Sequence, residues 1–170
     1  MFNSDLVNFF KRHNLYEDKM FDYFNNNITH YDYNIWEYRI LTGCLFISSE
    51  DDILKKIHLC VPTIIDDITM LINVHEYTHA IEMYNNLEKI YKESIYREVL
   101  PITFERLYVM ESSSMSLEDY REYLDNNVKR NKDEYIIGSM IADELINNLN
   151  NDNISNLKRK VRTIGRKYEK

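Results

Sequence analysis

The sequence is poor in the residues that interrupt or staple a chain. Of 170 residues only 3 are Gly, 2 are Pro, 2 are Cys and 1 is Trp. So few Gly and Pro leave few backbone breaks and favour helices joined by short turns. The two cysteines, Cys44 and Cys60, are too few for a disulfide framework and lack metal-ligand spacing, so a reduced, cytoplasmic protein is the default expectation. No run of about 18 apolar residues exists, which argues against a membrane span. The opening MFNSDLVNFFKRHN has no basic stretch followed by an apolar core, so no secretory signal is expected. Positive charge is also in deficit. With 21 Lys and Arg against 28 Asp and Glu the net charge is −7, which argues against wholesale nucleic-acid binding.

What is present suits a globular chain. Apolar residues make up 44% and charged residues 29%, and the length is most simply one domain, 1–170, large enough to bury a core. Ser4 is placed to cap a short helix carrying Leu6, Val7, Phe9 and Phe10, and a second apolar stripe runs through Met20, Phe21 and Phe24. NNNITHYDYN (25–34) reads as turn. IWEYRILTGCLFIS (35–48) and ILKKIHLCVP (53–62) read as strands, the second ended by Pro62. From about Asp66 onward the pattern is helical. Pro101 is expected to open a helix, Ser116 to begin another with Asp119 as its reciprocal cap, and two more to follow near 133–149 and 154–168. The expected fold is α+β, with a small N-terminal mixed sheet and a mostly helical C-terminal half.

The informative stretch is NVHEYTHAIEMYNN, residues 73–86. Ile68, Leu71, Ile72, His75, His79 and Met83 fall on one helix face. Residues four apart point the same way, so His75 and His79 can reach one Zn²⁺ at about 2.0–2.1 Å. Glu76 is then placed to act as general base on a metal-activated water. A third ligand is needed. No Gly follows His79, which argues against the metzincin arrangement. Glu82 has moved up a turn on an unbroken helix and is expected as a solvated helix residue. The remaining candidates are Glu98, 19 residues past His79, and Glu105, a further seven along.

HEYTH followed by EVLPITFE resembles the gluzincin metallopeptidases, most of all the oligoendopeptidase F and thimet-oligopeptidase group. The likeness covers roughly residues 66–142. It implies a compact zincin-like domain that hydrolyses peptide bonds, with Glu98 as zinc ligand and Glu105 as a carboxylate that orients a ligating imidazole. DEYIIGSMIADEL (133–145) is similar to the helix that carries a transition-state tyrosine in that group, which makes Tyr135 a candidate oxyanion donor. Departures are a shorter interval from His79 to Glu98, a Pro101 displaced by one place, and a much smaller chain. The strand KKIHLCVP, with His58, is a candidate edge strand for pairing with substrate backbone. The basic C-terminus NLKRKVRTIGRKYEK is expected as an exposed helix. The expected activity is that of a zinc metallopeptidase acting on a short or extended peptide. The rival expectations are a binding or regulatory protein on the same scaffold and a helical interaction domain with an accidental motif.

Overall fold

The computed structural model describes residues 3–31, 44–48, 56–85, 96–128, 132–149 and 152–168. Most of them are helical and three short strands form one mixed sheet, an α+β composition. The chain divides into two compact units, Met1–Asn85 and Asn86–Lys170.

The first unit begins with α1 (Ser4–Arg12) and α2 (Asp18–Asn25). The α1 cap is Asn3 and not Ser4: its Oδ1 accepts from the amides of Asp5 at 2.8 Å and Leu6 at 3.3 Å. Asn caps as well as Ser, and the choice between neighbouring capping residues is invisible in composition. Asn14, at φ 57, turns the chain out of α1 in the left-handed region that Asn tolerates. Leu6, Phe9, Phe10, Met20, Phe21 and Phe24 are all buried, so both apolar stripes face inward as their spacing predicts.

Three strands follow: β1 (Ile28–Tyr31), β2 (Cys44–Ser48) and β3 (Lys56–Pro62). The order is β1-β3-β2, with β1 parallel and β2 antiparallel to β3. Two expectations are corrected here. Residues 28–31 form a strand inside the segment read as turn, because Ile28, Thr29 and Tyr31 are strand formers whose partner lies some thirty residues away. And β3 is the central strand, so it is not an edge for substrate; His58 sits in register with Phe46. The expected strand residues 35–43 and 53–55 lie outside the described residues.

Helix α3 (Asp67–Tyr84) lies between these layers. Its start is fixed by a reciprocal cap: Asp66 Oδ1 accepts from the Thr69 amide at 2.8 Å, and Thr69 Oγ1 accepts from the Asp66 amide at 3.0 Å. Asn73 ties the helix to the end of β3, donating from Nδ2 to Pro62 O at 2.9 Å and to Thr69 O at 2.8 Å. The Tyr77 ring packs against Phe10, Phe21 and Phe24, at centroid distances of 6.4, 6.0 and 6.0 Å. Every residue from Thr69 to Glu82 is buried.

The second unit holds four helices: α4 (Val99–Glu111), α5 (Leu117–Val128), α6 (Lys132–Ile146) and α7 (Ile154–Gly165). Pro101 sits in the first turn of α4, where a missing N–H costs no helical bond. Ser116 and Asp119 cap α5 reciprocally, the Ser116 hydroxyl accepting from the Asp119 amide at 3.1 Å. α6 packs chiefly on α4, with a close approach at Gly138, where a Cβ would stand 3.0 Å from Ile102 Cδ1 and 3.3 Å from the Glu98 carbonyl carbon. α7 is half buried through Leu157, Val161 and Ile164, while its basic face is engaged in part by Lys160–Asp152 and Lys167–Glu144 pairs.

Candidate metal centre

The two histidines of α3 bring their Nε2 atoms to 3.1 Å, with ring centroids 4.8 Å apart and planes at 74°. Two nitrogens each about 2.0–2.1 Å from one tetrahedral ion stand about 3.3 Å apart. The pair is therefore spaced as two ligands of one ion, a consequence of the four-residue interval on an unbroken helix. Both residues are buried, His75 at 6% exposure and His79 at 5%.

Glu98 is buried as well, immediately before the first residue of α4, and its carboxylate makes no capping bond to that helix. Its backbone is held from the side by the close approach of Gly138. His75 and His79 thus offer two buried imidazole donors to one metal ion, and Glu98 offers a buried carboxylate at the start of α4 in the second unit. Two imidazoles and one carboxylate are hard-to-borderline donors that suit Zn²⁺ among other divalent ions.

The other expected site residues fall in different settings. Glu76 follows His75 on α3 and is buried. Glu105 is 1% exposed, and its carboxylate accepts from the hydroxyls of Tyr120 at 3.1 Å and Tyr123 at 3.4 Å. Burial pushes the Tyr120 phenol well above its ordinary range, and the Glu105 charge adds to the effect. Tyr135 is buried in a cluster with Ile102 and Ala142. Glu82 overturns the expectation of a solvated residue. It is 4% exposed, because α3 has neighbours on every side, and its Oε2 stands 3.7 Å from Nδ1 of His79.

Sequence reasoning missed three contributors. Tyr120 and Tyr123 carry no contrast in a chain with 14 tyrosines. Asn73 was detectable in principle, since a lone Asn on the inward side of an apolar helix must find partners when buried. A scan against protein-family models, a search of curated proteins and a search of solved structures each return no match.

Proposed function

We propose that this protein is a zinc-dependent metallopeptidase on a compact zincin-like scaffold. The observation that carries the reading is the 3.1 Å approach of the two Nε2 atoms within a His-Glu-x-x-His helix. In this reading His75, His79 and Glu98 are the protein ligands, one carboxylate tempering the charge of the ion. When bound, zinc would supply Lewis acidity to polarise the scissile carbonyl and activate the attacking water. Glu76 takes the proton from the attacking water and returns it to the leaving amine. Tyr135 is assigned as a donor to the developing oxyanion. The substrate assigned is a short or extended peptide.

The test has two arms. Elemental analysis after mild dialysis should find about one zinc per chain, as a three-ligand site requires, and His79→Ala should lose it. Glu76→Gln should keep zinc and abolish cleavage of a peptide library, because an amide cannot accept the water's proton. A chain that takes up no zinc even when zinc is added ends the reading. A zinc-loaded parent that cleaves nothing leaves the scaffold as a binding protein and removes the peptidase.

A further inference from the structure

We propose that Glu82 is a positioning residue for His79, its carboxylate taking the Nδ1–H so that the Nε2 lone pair is presented to the metal. The inference rests on the metal reading above. It starts from the chemistry of burial: a carboxylate is almost never fully buried unless something holds its charge. Glu82 is 4% exposed, one turn beyond His79 on the same helix. The two nitrogens of the His79 ring face different groups. Nε2 is 3.1 Å from Nε2 of His75, and Nδ1 is 3.7 Å from Oε2 of Glu82.

A formed hydrogen bond would be about 2.9 Å, so a rotation of the carboxylate must close the remaining gap. Both groups lie on one continuous helix. Glu82 meets the ring at Nδ1, the nitrogen turned away from the His75 contact, which suits an orienting group rather than a further ligand. The resemblance gives the orienting role to Glu105. That carboxylate already receives the hydroxyls of Tyr120 and Tyr123, whereas Glu82 travels with the imidazole it would orient. A carboxylate on the outer nitrogen fixes the tautomer and ring orientation of a metal-binding histidine and strengthens the inner nitrogen as a donor.

The experiment uses the full chain with Glu82→Met and Glu82→Gln. Met matches the length of Glu without an acceptor, and replacing a buried charge by an apolar side chain of similar volume commonly leaves a fold intact. Gln keeps an acceptor oxygen. In metal-free, ¹⁵N-labelled protein, at a pH where imidazole is neutral, two-bond ¹H–¹⁵N correlations read the His79 tautomer. The parent and Glu82→Gln should hold the Nδ1–H form, and Glu82→Met should shift towards Nε2–H. A competition titration with zinc should then show affinity reduced roughly 10–100-fold in Glu82→Met and partly restored in Glu82→Gln, with the unfolding midpoint of Glu82→Met no lower than the parent's. An unchanged tautomer in Glu82→Met overturns the proposal, as does zinc affinity within twofold of the parent. The reading it rests on is decided separately, by whether the parent chain takes up zinc at all.

Discussion

Glu98 and Glu105 lie seven residues apart in the sequence and both are buried, yet they have different neighbours. Glu98 is the third ligand in the proposed metal reading, while Glu105 receives phenol hydroxyls from α5. Their alanine variants should separate accordingly. Glu98→Ala should abolish measurable zinc retention in a metal titration, since two imidazoles alone bind weakly. Glu105→Ala should keep zinc while lowering the unfolding free energy by about 1–3 kcal/mol, chiefly the cost of taking an acceptor from the buried Tyr120 hydroxyl. Zinc loss in Glu105→Ala with retention in Glu98→Ala would reverse the ligand assignment. The sequence offered both carboxylates and the resemblance assigned Glu98 as the ligand, but the partners of Glu105 were not legible because Tyr120 and Tyr123 are distant from it in the chain. Burial of Glu82 was equally hidden. A carboxylate one turn past a histidine reads as solvated unless the helix is known to be covered on all sides.

At the scale of elements, α3 is held at its start by Asp66 and Thr69 and near its middle by Asn73. Removing the cap in Asp66→Ala should cost about 0.5–2 kcal/mol, read as a lower midpoint in urea. His75 stands more than two turns further in, so zinc affinity of the folded protein should stay close to the parent's. In the second unit, Gly165 ends α7 directly against Tyr96: a Cβ there would stand 2.2 Å from Cε1 of that ring. Gly165→Ala gains helix propensity but must displace the aromatic ring. Overpacking of this kind costs about 1–3 kcal/mol, so thermal unfolding should come earlier despite the better helix former. The helices themselves were legible, because periodic apolar positions and caps such as Ser116–Asp119 are local signals. β1 and the central place of β3 were not, because strand pairing is settled by residues far apart in the chain.

Across the whole molecule, 14 tyrosines make the alkaline limb of stability informative. Burial pushes Tyr77 far up, and burial with the Glu105 charge does the same for Tyr120. Below pH ~10 both phenols are protonated in the folded and the unfolded chain. Above it the unfolded chain releases these protons and the folded chain keeps them, so stability must fall as pH rises. Urea midpoints should drop between about pH 10 and 11, with phenolate absorbance from these two residues appearing only on unfolding. A Tyr77→Phe, Tyr120→Phe double variant should show a shallower decline, and an equal slope would refute the linkage. No helix among the described residues is long and apolar enough to cross a membrane, in keeping with the lack of long apolar runs.

The enclosure of α3 has one further consequence. A helix with a face in water can trade its amide protons with solvent by brief local fraying, while one covered from Thr69 to Glu82 has no such route. Deuterium uptake by the amides of His75 through His79 should therefore wait for the opening of the Met1–Asn85 unit as a body. In the proposed metal reading, a zinc ion held by side chains would face no such requirement, so the ion and the amide protons of the same five residues would keep separate clocks.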